Sequence, residues 1–169
     1  GTLNGSKALN LEQKTALVTE ILENSGLAFG QEVESAEDEA LLIVLKGMNI
    51  DVKKVLDDEV DLSNQSIDEK QNIAIDELLR HRITSRKPFA YTVNESWFAG
   101  NRFYIDERAL IPRSFLGEWI SDRFEPWVNA DRVYSILDLC TGSGCIAISC
   151  ALSFPNAEVT ASDIDADAL

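Results

Sequence analysis

The sequence predicts an α/β chain in three parts. These are a small helical domain over residues 1–87, a β-hairpin linker over 88–112, and the strand–helix–strand start of a parallel-sheet domain over 113–169. Three observations carry this. The first half repeats apolar residues at helical spacing between N-cap and glycine signals. At Pro88 the texture changes to short aromatic and β-branched runs separated by Asn94-Glu95 and Gly100-Asn101. Later, an apolar run ends in a carboxylate, turns through two glycines and opens into a helical segment, Ile136-Leu137-Asp138-Leu139-Cys140-Thr141-Gly142-Ser143-Gly144-Cys145-Ile146-Ala147.

In chain order, Asn10 is read as the cap of a helix to about Asn24, with Leu11, Leu17, Val18, Ile21 and Leu22 on its apolar face and Gly26 as its stop. A second helix runs from Glu37 to about Leu45 and is ended by Gly47. A short one covers Val52 to Leu56. Ser66-Ile67-Asp68-Glu69 is read as a capping box opening a helix to about Ile83, with Ile73, Ile75, Leu78 and Leu79 inward. Phe89–Val93, Trp97-Phe98 and Phe103–Ile105 read as hairpin-linked strands. Ser114 is the expected cap of a helix reaching Phe124. Val133 to Leu139 reads as a buried strand, Ser143 to Ser153 as a helix and Glu158 to Ser162 as a second strand, with another helix expected to begin near Asp165. Strand–helix–strand order implies a parallel pair, and parallel sheets are normally covered on both faces. Two strands and one helix cannot supply that cover. The chain therefore reads as a fragment of a protein roughly twice as long, or as one that self-associates through its incomplete sheet.

Composition bounds the function. Across 169 residues, 45% hydrophobic and 26% charged residues are globular values. No apolar run is long enough to cross a bilayer, and Gly1-Thr2-Leu3-Asn4-Gly5-Ser6 lacks a signal peptide's basic and apolar regions. Gly1 in place of Met points to a processed or cloning-derived N-terminus, and the expected location is cytoplasmic. A net charge of −14 argues against direct binding to a nucleic-acid backbone and is compatible with a basic protein partner. Cys140, Cys145 and Cys150 form no CxxC pair and His81 is the only histidine, so neither a disulfide framework nor a metal site is expected. The three read as small buried thiols.

Gly142-Ser143-Gly144-Cys145-Ile146-Ala147 also fits a dinucleotide fingerprint. Two carboxylates decide against that reading. Asp138 stands where a pyrophosphate-binding strand is normally apolar, and a negative mouth repels a diphosphate while attracting a cationic sulfonium or ammonium. Asp163, 21 residues beyond Gly142, ends the next strand and is placed to accept from two ribose hydroxyls. Both have structural alternatives. Asp138 can bond the loop's own N–H groups, and Asp163 can cap a helix, although Asp165 fits that task better.

Residues 97–114, Trp-Phe-Ala-Gly-Asn-Arg-Phe-Tyr-Ile-Asp-Glu-Arg-Ala-Leu-Ile-Pro-Arg-Ser, together with Leu137–Ala147, resemble the bacterial protein-(glutamine-N5) methyltransferases. Within that family they resemble the branch acting on the third protein of the large ribosomal subunit. The branch that methylates release factors usually carries Pro-Arg-Pro-Glu-Thr-Glu, of which this chain keeps only Pro112, Arg113 and Glu118. The resemblance implies a helical substrate-docking domain, a hairpin linker and a Rossmann-like class I methyltransferase domain using S-adenosyl-L-methionine. It implies a donor site at Asp138, Cys140, Thr141, Gly142, Ser143, Gly144 and Asp163, with Leu110, Pro112 and Arg113 beside the substrate. It further implies an Asn-Pro-Pro-Tyr motif holding the glutamine amide. That motif is absent from these 169 residues, so the expected catalytic residues lie outside them and the fragment is expected to be inactive. Competing readings are a release-factor glutamine methyltransferase, a nucleic-acid amino-methyltransferase, and a non-catalytic docking module for a basic protein.

Overall fold

The structure, a computed structural model, describes residues 8–30, 33–63 and 65–169. The polar N-terminal residues 1–6 lie outside those described. The chain forms two compact units, Gly1–Thr92 and Val93–Leu169. Among the described residues, no helix is long and apolar enough to cross a membrane.

The first unit is helical. Helix α1, Leu11–Asn24, opens with a complete capping box: the Asn10 side chain accepts from the Gln13 N–H, and the Gln13 side chain accepts from the Asn10 N–H. It turns out of helix at Ser25 and Gly26, whose φ is +65°. Val18 and Leu22 are fully buried, but Leu17 and Ile21 remain exposed, contrary to the expected inward face. The apolar stripe of α1 is wider than the surface that covers it. Helix α2, Ala36–Gly47, is capped by Ser35 and buries Ala40, Ile43, Val44 and Leu45. It is the helix on which both α1 and the later helix at Glu69–Ser85 pack.

Gly47 ends α2 as expected, as its last helical residue. A Cβ there would lie 2.3 Å from Ile75 Cγ1 and 2.9 Å from the Ile75 backbone nitrogen. The glycine therefore permits close approach of two helices. Gly47→Ala is expected to destabilise the chain by about 1–3 kcal/mol through overpacking, read as a lowered midpoint of thermal unfolding. An unchanged midpoint would refute this account of the packing.

Helix α3 is Val52–Leu56, as the sequence predicts. Helix α4, Glu69–Ser85, begins later than the Ser66 signal suggests. Ser66 instead pairs with Asn10 in an antiparallel bridge, flanked by the bonds Leu11 N–H to Gln65 O and Ile67 N–H to Leu9 O. The cap passes to Asp68, which forms a capping box with Gln71. Ile75 and Leu79 are buried, whereas Ile73 is exposed. Arg82, at 2% exposure, is held in the core by Glu39 of α2. Residues Phe89–Val93 are helix α5, not a strand. Pro88 fixes the helical φ at the start and its carbonyl accepts from the Tyr91 N–H, which outweighs the β propensity of the run.

The second unit begins with a hairpin, β1 (Glu95–Phe98) and β2 (Asn101–Tyr104), antiparallel with Phe98 opposite Asn101. Its turn is centred on Ala99 and Gly100, both at positive φ, one residue earlier than the expected Gly100-Asn101. Helix α6 is only Leu116–Ser121. Ser114 Oγ accepts from the Leu116 N–H, but the capping residue is Phe115, and positive φ at Arg123 and Phe124 ends the helix before its expected limit. After a 3-10 turn at Ala130–Arg132 come β3 (Ser135–Leu139), α7 (Cys145–Ser153) and β4 (Glu158–Ser162).

Strands β3 and β4 pair in parallel, Ser135 opposite Glu158 through Leu139 opposite Ser162. Ile136, Val159 and Ile146 pack with a buried cluster of Phe98, Phe103, Ile120, Cys145 and Cys150. Leu137 and Leu139, on the other face of β3, are 61% and 67% exposed. The expectation of a fully buried strand is therefore corrected: α7 covers one face only. No helix forms over Asp163–Leu169.

Candidate functional site

The C-terminal ends of β3 and β4 lie side by side, so the loops that follow them, 140–144 and 163–165, emerge together. This is the position at which parallel α/β sheets bind ligands. The first loop reaches α7 through a backbone path that side chains rarely follow: Cys140, Gly142 and Gly144 have φ of +60°, +58° and +77°. At Gly142 the requirement is conformational, because a Cβ there would meet no atom within 4 Å. The same openness leaves the loop backbone accessible to a ligand.

The loop is stitched to β4. The Thr141 N–H donates to Ser162 O at 3.0 Å, and the next N–H, from Gly142, donates to Asp163 Oδ2 at 2.8 Å. Asp163 Oδ1 accepts from the Asp165 N–H at 2.9 Å. These backbone donors, Asp165 first and Gly142 next, hold the Asp163 carboxyl below the usual carboxylate range. The sign follows: this contribution to stability is present at neutral pH and is lost as pH falls through the lowered folded value. Asp165 in turn accepts from the Asp167 N–H, forming a turn in place of the expected helix cap.

Asp138, half-buried in β3, accepts a hydrogen bond from the Thr141 hydroxyl. Its structural alternative, bonds from the loop's own N–H groups, is not the arrangement found. Thr141 is buried, and Ser143 is half-buried with its side chain bonded to Cys145. Cys140 is exposed, which corrects the reading of three buried thiols; Cys145 and Cys150 are buried and free. Burial, with Asp138 nearby, pushes both of those thiols up, so neither is a ready thiolate nucleophile. Among the described residues, no group of three or more His, Cys, Asp or Glu could hold a metal ion.

The substrate-proximal candidates lie on the segment between β2 and α6. Leu110 is 87% exposed, Pro112 half-buried and Arg113 exposed. Sequence reasoning overlooked their neighbours. Arg108 forks onto Asp106 through Nε and Nη2, and the Tyr104 hydroxyl donates to the same carboxylate. This holds Asp106 well below the usual carboxylate range, chiefly through Arg108. Arg108 also feels Asp167, which brings this segment within electrostatic reach of the loop after β4. The Asp-x-Arg spacing was the available signal. Phe115, Trp119 and Trp127 form an exposed aromatic cluster, edge-to-face and then tilted, with ring centroids 5.4 and 5.9 Å apart.

Asp138 and Asp163 are thus both tied to one open glycine loop, an arrangement suited to a cationic ligand with neighbouring hydroxyls. The chain is 44% identical over 85% of its length to "Ribosomal protein uL3 glutamine methyltransferase" of Burkholderia pseudomallei, covering 46% of that protein. It is 44% identical over 83% to the protein of the same name from Francisella tularensis, covering 44% of it. For the Neisseria gonorrhoeae protein so named, identity is 36% over 86% of this chain and 48% of that protein. The chain spans about half the length of the curated relatives it matches. No family model matches it. The family that residues 97–114 and 137–147 resemble is the one these relatives carry in their names.

Proposed function

We propose that this chain supplies the donor-binding loop and a helical docking region of a protein-glutamine methyltransferase acting on ribosomal protein uL3. The observation that carries the reading is the pair Asp138 and Asp163, which flank an open glycine loop at the ends of two parallel strands. Asp138 meets the positive charge of S-adenosyl-L-methionine, and Asp163 accepts from its ribose hydroxyls. Cys140, Thr141, Gly142, Ser143 and Gly144 approach the donor through backbone and small side chains. Leu110, Pro112 and Arg113 border the substrate, and residues 1–87 dock it.

The donor supplies an electrophilic methyl group on a sulfonium. Side-chain N5 of glutamine is a weak nucleophile, because its lone pair is delocalised into the carbonyl. The protein's contribution is therefore mainly alignment: the amide nitrogen must stand in line with the methyl–sulfur bond. As the nitrogen–carbon bond forms, the carbon–sulfur bond breaks with its electron pair kept on sulfur, and the nitrogen releases its proton to water. A neutral thioether and an N5-methylglutamine result.

The test is transfer of radiolabelled methyl to purified uL3 by the protein at the full length of its relatives, with a release factor offered in parallel. Label on a uL3 glutamine supports the reading; label on the release factor alone, or on neither, overturns it. The 169-residue chain by itself is expected to transfer none, because the uncovered face at Leu137 and Leu139 leaves the sheet incomplete.

A further inference from the structure

We propose that Asp163 and Thr141 are positioning residues that lock the glycine loop and Asp138 in a ligand-ready arrangement before any donor binds. This rests on the reading of the loop as a donor site. Two consecutive loop N–H groups, from Thr141 and Gly142, are both spent on the end of β4, at Ser162 O and Asp163 Oδ2. The other Asp163 oxygen holds the Asp165 N–H. One carboxylate therefore ties together the two loops that leave the sheet side by side. The Thr141 hydroxyl has a single proton and gives it to Asp138 Oδ2, which fixes that side chain from within the same loop.

The stitching consumes only part of the acceptor capacity. The Gly142 and Asp165 N–H groups take one site on each Asp163 oxygen and the Ile164 N–H also faces the carboxylate, which leaves acceptor capacity for a ribose hydroxyl. Among the described residues, Asp138 Oδ1 accepts no hydrogen bond and remains available to a cation. Each side chain can thus hold the loop and still receive the ligand. Left-handed backbone at Cys140, Gly142 and Gly144 would otherwise be ordered only on binding, at a cost to affinity.

Amide hydrogen exchange, followed by NMR in the donor-free 169-residue chain, tests this directly. The Gly142 N–H is expected to be protected. Asp163→Ala should speed its exchange by about tenfold or more, while Asp163→Asn, whose amide oxygen can still accept from Gly142, should keep most of the protection. Amides of β1, β2 and α7, in the same unit, report whether the fold persists. Gly142 exchanging equally fast in the wild type and in Asp163→Ala would overturn the proposal. If Asp163→Ala unfolds the second unit, Asp163→Asn decides: a protected Gly142 supports the lock, and an unprotected one refutes it. Thr141→Val should leave Gly142 protected yet weaken binding of S-adenosyl-L-methionine by about tenfold in an NMR titration, since only the restraint on Asp138 is lost. Equal affinity would remove Thr141 from the proposal. A protected Gly142 in a chain that binds no S-adenosyl-L-methionine would retain the lock and discard the donor reading; donor binding with an unprotected Gly142 would do the reverse.

Discussion

Arg82→Ala is expected to lower the stability of the chain by about 3–5 kcal/mol, the largest loss predicted for any single substitution considered. Arg82 and Glu39 are 2% and 3% exposed. The guanidinium donates to both Glu39 oxygens, and its Nη2 also reaches the Ala28 carbonyl at 3.3 Å. Truncation would leave a carboxylate in the helical core with neither water nor a countercharge. The magnitude reflects that abandoned charge and not the net worth of the pair, which desolvation largely offsets. A double replacement, Arg82→Met with Glu39→Leu, should therefore recover most of the loss. Urea denaturation of the two variants checks both points. If Arg82→Ala costs less than about 1 kcal/mol, or the double variant is as unstable as the single one, the account fails.

Asp138→Asn is expected to weaken binding of S-adenosyl-L-methionine by roughly 10–100-fold, the range for losing the charge from a hydrogen-bonding carboxylate. The substitution separates charge from geometry, because asparagine keeps an oxygen for the Thr141 hydroxyl. Comparison with the neutral thioether product identifies which cation is met. If Asp138 faces the sulfonium, affinity for the donor should fall much more than affinity for the product. If it faces the ammonium, which both ligands carry, the two should fall together. NMR titration of wild type and variant with each ligand provides the comparison. Unchanged affinity for both would remove Asp138 from the site. Asp138 and Asp163 sit at neighbouring strand ends, so their substitutions are expected to be non-additive.

Much of the helical region was legible in the sequence because its signals are local. Asn10 with Gln13 caps α1, and the limits of α3 and β4 match the expected spans. Most of the misreadings are where a distant partner intervened. Ser66 lost its capping role to a bridge with Asn10, 56 residues away in sequence. Gly47 does end α2, but the close approach of Ile75 of α4 to it depends on the fold alone. Residues 89–93 read as a strand by propensity, yet Pro88 supplied a helix start. Leu17, Ile21 and Ile73 were assigned inward by period alone, and period cannot report how wide a neighbouring surface is.

For the candidate site, the sequence by itself determined the order of parts: a strand with Asp138 near its end, a glycine turn, a helix, and a second strand followed by Asp163. Those are properties of residue type and spacing. Only the tertiary structure decided how the parts are joined. Parallel pairing of β3 with β4 brings residues 21 positions apart into one hydrogen bond, from Gly142 to Asp163, and it directs the Thr141 N–H to Ser162. The physical reason is that a carboxylate's hydrogen-bond partners depend on which backbone donors the fold places within reach. Spacing along a chain does not specify them.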